Sequence, residues 1–187
     1  LFQRQKRISM ANFNLPDKAV QNWRSFRYKG EVYTFEHLNA RKITFENPKI
    51  PESYTLYITI SHHAFTESCK SGTCSDDEYY PNSKDKRIFS AERYLLSKNI
   101  PEILLDLPNQ FFYHGGYGKF CSCKIKKSDG TEVIYQLVYR IWKQERKLRF
   151  HIESAYPLEK KGRKKKVSFW VLCHNLLAGK KLPKPPR

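Results

Sequence analysis

Several stretches of this chain alternate apolar and polar side chains with a period of two, and that pattern commits much of its core to sheet. Tyr54, Leu56, Ile58 and Ile60 fall on one side of an extended segment, and Thr55, Tyr57 and Thr59 on the other. This is a strand buried on one face. In the C-terminal half the spacing predicts a strand over 117–127 and a hairpin turn at Asp129-Gly130. The strand over 131–143 buries Val133, Tyr135, Leu137, Tyr139 and Ile141, and the next buries Leu148, Phe150 and Ile152 before Pro157 ends it. A last strand is expected to place Val167, Phe169, Val171 and Cys173 on one face.

The N-terminal part reads differently. Pro16 and Asp17 open a helical pattern with Ala19, Val20, Trp23 and Phe26 on one side, ended by Lys29-Gly30. Residues 31–35 and 42–46 are expected as short strands, and the polar stretch 67–85 as a mobile loop. Ser90 caps a helix that turns Tyr94 and Leu95 inward; Pro101 restarts it, and Ile103, Leu104 and Leu107 form a second apolar turn. The expected class is α+β, with N-terminal helices and short strands packed on a four-stranded antiparallel meander.

Forty per cent hydrophobic residues and 14% aromatic exclude a disordered chain. Met10 is the sole methionine, so residues 1–9 are read as an upstream extension. Residues 10–178 are read as a single compact basic α+β domain, and 179–187 as a flexible, basic, Pro-rich tail. No run of about 18 uncharged apolar residues is present and no secretory pattern opens the chain. The five cysteines, an odd number, are read as reduced thiols. The expectation is a soluble, cytoplasmic protein without a membrane partner.

Charge points to the partner. Lys+Arg of 35 against Asp+Glu of 18 leaves +17, and residues 111–187 carry +14 of it. Such a polarised surface concentrates polyanions and binds them with counterion release. Nucleic acid is the expected partner, RNA ahead of DNA; an acidic protein and a merely solvated surface remain open. Lys160, Lys161, Arg163, Lys164, Lys165 and Lys166 crowd one loop. They repel one another, so they read as a phosphate clamp or a solvated loop.

Candidate chemistry lies on the strand ending at Tyr156. Arg149, His151 and Glu153 alternate onto the face opposite Leu148, Phe150 and Ile152. A hairpin turning at Glu145-Arg146 sets Trp142 opposite Arg149, Arg140 opposite His151, and Val138 opposite Glu153. Two arginines, an imidazole, a carboxylate and an aromatic platform are the parts of a metal-independent ribonuclease. His151 would move protons near neutral pH, Glu153 would orient it, the arginines would hold the phosphate, and Tyr156 would stack on a base or bond to phosphate. An ordinary solvated sheet face fits the same residues.

Other motifs are weaker. His62 and His63 precede Cys69 and Cys74 with spacing at the outer limit for zinc, and no metal or other cofactor is expected. His114 before Gly115-Gly116-Tyr117-Gly118 borders a turn or bulge, not a phosphate-binding loop.

The segments ITISHHAFT (58–66), RIFSAERYLLS (87–97) and FHIESAYP (150–157), in this order, resemble an uncharacterised family of small bacterial and prophage proteins, over most of residues 30–174. Helices followed by a curved meander are also similar to the Barnase–EndoU–colicin–RelE group of metal-free ribonucleases, common among toxins. By the motif match His63, Arg87, Arg93, Ser154 and Tyr156 become candidates for one site, His63 for catalysis and Arg87 and Arg93 for nucleic acid. A toxin-like endoribonuclease is the leading expectation, with a protein antitoxin as one implied partner. A non-catalytic nucleic-acid-binding protein, or a phage-borne inhibitor of a host protein, stands as the alternative.

Overall fold

The computed structural model describes residues 22–69, 74–81, 85–114, 119–127, 129–158 and 166–180. Its first elements, β1 (Phe26–Tyr28) and β2 (Glu31–Tyr33), form an antiparallel hairpin in which Phe26 faces Tyr33. Lys29 and Gly30 turn it with positive φ, the left-handed region that glycine enters without a Cβ clash. The helix expected to include Phe26 is therefore corrected at that residue, and its start at Pro16 lies outside the described residues. Tertiary packing overrides the local period: the Phe26 ring meets Tyr80 at 5.2 Å and Phe89 at 5.7 Å.

β3 (Arg41–Glu46) and β4 (Ser53–Ile60) pair antiparallel, and Tyr54, Leu56, Ile58 and Ile60 are buried as their alternation requires. β5 (Thr66–Ser68) pairs with β6 (Arg87–Phe89) across the stretch expected as a loop. A disulfide joins Cys69 to Cys74 there, which corrects the reading of five reduced thiols; Cys121, Cys123 and Cys173 are free and buried.

α1 (Ala91–Ser97) follows Ser90 as expected, and α2 (Ile100–Leu105) restarts with Pro101 in its first turn. Tyr94 faces inward but Leu95 is 58% exposed, with Leu96 taking the core position. β7 (Phe111–His114) was not expected. β8 (Lys119–Lys126), β9 (Glu132–Gln144) and β10 (Lys147–Leu158) are the antiparallel hairpins foreseen, with turns at Asp129-Gly130 and Glu145-Arg146.

β11 (Lys166–Val167) ends the strands, and the next segment is a helix, α3 (Phe169–Leu177). The strand expected there is overturned. Phe169, Leu172 and Cys173 are buried while Val171 is 44% exposed, which is the i, i+3, i+4 stripe of a helix. In so short a segment the two periods share Phe169 and Cys173, which is why the alternation misled.

The main sheet has seven strands in the order β11-β7-β8-β9-β10-β4-β3, and β10 pairs with β4 in parallel. The four-stranded antiparallel meander is thus corrected to a larger mixed sheet, and among the described residues the α-helices come after the first six strands. The parallel pair could not be read from local pattern, because its strands lie about ninety residues apart, Ile60 facing Ile152. Phe169 meets Phe45 of β3 at 4.9 Å and Phe112 of β7 at 5.8 Å. One ring thus touches strands from both ends of the sheet, so the sheet curls around α3. Tyr139 stacks on Phe150 at 4.8 Å inside that curl.

A second aromatic group, built on Phe35, Phe65, Phe89 and Tyr94, ties the β1–β2 hairpin to β5, β6 and α1. Leu172→Ala should cost about 2–5 kcal/mol, the range for a buried leucine. Val171→Ala should stay within about 0.5 kcal/mol, as an exposed position allows. Denaturant melts of both variants check this, and the reverse order would restore the strand.

Candidate functional site

The candidate site forms where β4 stops. After Ile60 the chain leaves the sheet: Ser61 N–H donates to the Ile152 carbonyl at 2.8 Å, and a 3-10 turn follows over His62–Ala64. Ser61 Oγ accepts from His63 N–H at 3.3 Å, capping that turn. Thr66 Oγ1 donates to the His62 carbonyl at 2.9 Å, and Arg93 donates to the His63 carbonyl at 3.4 Å. Both histidine backbones are therefore clamped, and their rings meet edge to face at 4.6 Å. Tyr80 lies parallel to His62 at 6.0 Å.

His63 Nε2 is 3.0 Å from Asp85 Oδ2. Two arginines close in behind this pair. Arg87 donates from Nε to Thr66 Oγ1 and from an Nη to the Thr66 carbonyl, both at 2.9 Å. Arg93 donates to the same carbonyl at 2.9 Å, lies 3.9 Å from Glu67, and sits over the Tyr156 ring at 5.8 Å. The Tyr156 hydroxyl accepts from Gln136 Nε2 at 2.8 Å. The structure thus brings His63, Arg87, Arg93 and Tyr156 together; Ser154 is half-buried on the same strand, two residues from Tyr156.

Electrostatics sets the protonation. Burial, then Arg87, pushes His63 below the usual imidazole range despite its bond to Asp85. The bond to His63 holds the Asp85 carboxyl low. A neutral His63 beside a charged carboxylate donates Nε2–H to it, leaving the lone pair on Nδ1. His62 is pushed down to about 4 by burial, then by His63 and Arg87.

The face read from sequence is adjacent but differently built. Trp142 pairs with Arg149 and Arg140 with His151, as the hairpin required. A bulge between Ile152 and Ser154 then shifts the register, so Val138 faces Ser154 and not Glu153. Glu153 still reaches Arg140, at 2.6 Å. Arg149 is 4% exposed, bonded to Gln144 and 5.1 Å from the centre of the Tyr57 ring, which corrects its reading as solvent-facing. His151 bonds through Nδ1 to Thr59 Oγ1 at 2.8 Å and is pushed down to about 4 by burial, then by Arg140 and His63. That shift moves His151 away from the near-neutral range on which its proton-transfer role was argued, and favours its neutral form.

Asp85 and Thr66 were missed by sequence reasoning. Asp85 sits in a polar stretch 22 residues from its partner, with no periodicity to mark it. Lys160, Lys161, Arg163, Lys164 and Lys165 lie outside the described residues, as do Gly115, Gly116, Tyr117 and Gly118; Lys166 begins β11. Among the described residues, His62, His63 and Asp85 form a group able to hold a metal ion, their ligand atoms within 4.8 Å of one another. The disulfide removes Cys69 and Cys74 from any such set.

The YjaZ family model matches residues 25–177. The chain belongs to the YjaZ family. It is similar to Protein YjaZ of Escherichia coli (strain K12), 30% identical over 177 residues, covering 91% of this chain and 99% of that protein. No solved structure matches. Family membership supports the resemblance carried by the three quoted segments. The likeness to metal-free ribonuclease folds is not supported, since the meander it rested on is a mixed sheet.

The histidine environment predicts a pH response. His37, His62 and His151 are each lowered from 6.5 to about 4, burial being the first cause in all three. Between those values the unfolded chain binds more protons than the folded one. Stability should be full above about pH 6.5 and fall as pH drops toward 4. Side-chain NMR titration should show these three rings neutral at pH 5.5, and a melting temperature unchanged from pH 7 to 4.5 would contradict it.

Proposed function

We propose that the chain binds RNA and cleaves its phosphodiester bonds at the His63–Asp85 pair without metal. The observation that carries this reading is that pair, 3.0 Å apart, with Arg87 and Arg93 beside it on a chain of net charge +17. Neutral His63 takes the 2′-hydroxyl proton, the 2′-oxygen bonds to phosphorus, and the bond to the 5′-oxygen breaks. Tyr156, whose hydroxyl accepts from Gln136 and so keeps its own proton to give, protonates the leaving oxygen. The two residues then re-exchange the proton through solvent. Arg87 and Arg93 stabilise the charge on the pentavalent phosphorus. The proposal does not depend on the fold, since one chemistry recurs on unrelated architectures.

A second reading, binding without cleavage, draws on the neighbouring face. Lys42 and Lys147 lie 5.8 and 5.4 Å from the Tyr57 ring centre, and Arg140 lies 5.9 Å from that of Trp142. Aromatics ringed by cations suit single-stranded nucleic acid. Among the described residues no helix is long and apolar enough to cross a membrane.

Incubation with total RNA in EDTA should produce 2′,3′-cyclic phosphate and 5′-hydroxyl ends. His63→Ala should lower cleavage by about two to four orders of magnitude, and Tyr156→Phe should lower it with the fold unchanged. Intact RNA after incubation with the wild type, alongside salt-sensitive binding, would leave the second reading. Binding should weaken steeply with salt, and Lys164→Glu, Lys165→Glu and Lys166→Glu together should flatten the slope. A flat response in the wild type would remove both.

A further inference from the structure

We propose that His62, His63 and Asp85 form a zinc site whose occupation switches off the base at His63; the inhibitory half of this rests on the cleavage reading above. The three side chains offer two imidazole nitrogens and one carboxylate oxygen, all within 4.8 Å of one another. Two histidines and a carboxylate are a three-ligand set for Zn²⁺ that leaves a fourth tetrahedral position to water or another small ligand.

The geometry is held before any ion arrives. The carbonyls of His62 and His63 are each bonded by a side chain, and Ser61 caps the turn that carries both rings. Tyr80 lies against His62 with the two planes only 13° apart. The two imidazoles therefore lose little side-chain entropy on binding, and exposed Asp85 would swing in to complete the set. Arg87 and Arg93 oppose a dication here, so the affinity belongs well below that of a closed structural site. Partial, reversible occupation is what a regulatory ion requires.

The inhibition follows from the imidazole itself. A neutral ring has one lone pair and one N–H. Whichever nitrogen of His63 binds zinc, the other carries the proton, so no lone pair remains to accept one from a 2′-hydroxyl. Asp85 is drawn away from its bond to His63 at the same time. The cleavage step above assigns no proton transfer to His62, so the ratio of rates with and without Zn²⁺ in a His62 variant separates metal binding from cleavage.

The test titrates Zn²⁺ by calorimetry into the wild-type chain, purified without chelator or reductant and with no RNA present. About one ion per chain should bind, and His62→Ala and Asp85→Asn should each weaken binding by at least about tenfold. Buried Cys121, Cys123 and Cys173 do not compete, burial raising each thiol well above its usual range. In the RNA assay, Zn²⁺ should lower the wild-type rate, while the rate of His62→Ala, whatever its value without metal, should be the same with and without Zn²⁺. No zinc binding by the wild type, or equal binding by His62→Ala, overturns the site. Activation by zinc overturns the inhibition and the metal-free mechanism together. Zinc binding by a chain that cuts no RNA overturns the cleavage reading and the inhibition, and leaves the metal site standing.

Discussion

The candidate site depends on where the parallel pairing of β4 with β10 ends. Ile60 faces Ile152, and the next hydrogen bond runs from Ser61 N–H to the Ile152 carbonyl. At that point β4 leaves and β10 bulges. The extra residue puts Ala155 into the core, fully buried, and sends Tyr156 to the opposite side beside Gln136. In an unbulged strand Tyr156 would share a face with Ile152, since alternate residues point the same way. One inserted residue therefore decides whether Tyr156 is a core ring or a neighbour of Arg93. The vacated place alongside β10 is filled by the turn that carries His62 and His63, so a single irregularity positions both halves of the site.

The site is polar at a point where burial makes polarity expensive, and its bonding answers that cost. Thr66 is fully buried, and its carbonyl accepts from both Arg87 and Arg93. Charge-assisted bonds to one oxygen hold two cations close together, with Glu67 near one and Asp85 near the other. The imidazoles respond by staying neutral. Burial is the largest cause for His62, His63 and His151, and positive neighbours reinforce it. Burial first, and positive neighbours second, thus leave neutral rings beside the arginines that would attract an anion.

The legible part of this fold was the part written in local period. The buried faces of β4, β9 and β10 followed from alternation, and the turns at Asp129-Gly130 and Glu145-Arg146 from residue type and spacing. Two kinds of information were absent from that pattern. Pairing between β4 and β10 is non-local, and nothing in either segment states that its partner is parallel. The segment after Ser168 is short enough for helix and strand periods to agree at Phe169 and Cys173, and only the burial of Leu172 with exposure of Val171 separates them. The site was half legible for the same reason. His63, Arg87, Arg93 and Tyr156 stood inside recognisable segments, whereas Asp85 lies in a stretch with no pattern. The burial of Arg149 depends on neighbours that alternation alone does not weigh.

The two candidate constellations are closer than their separation in sequence suggests, and this bears on how a polynucleotide would lie. His63 contributes to the low pKa of His151, so the two rings share one electrostatic environment. From His151 the sheet continues through Arg140 to Trp142, and through Arg149 to Tyr57 and its cations. A strand following these residues would meet aromatic surface and positive charge first, and the His63–Asp85 pair at the end of β4. Base stacking tolerates any sequence because every base has a π-face. Such a surface would hold a polynucleotide without choosing a sequence, so on the proposed reading discrimination would fall to groups that border the His63–Asp85 pair, where Tyr80 and Tyr156 offer rings and Glu67 a carboxylate. On the proposed reading, those three side chains, more than the cations, are the groups placed to discriminate between targets.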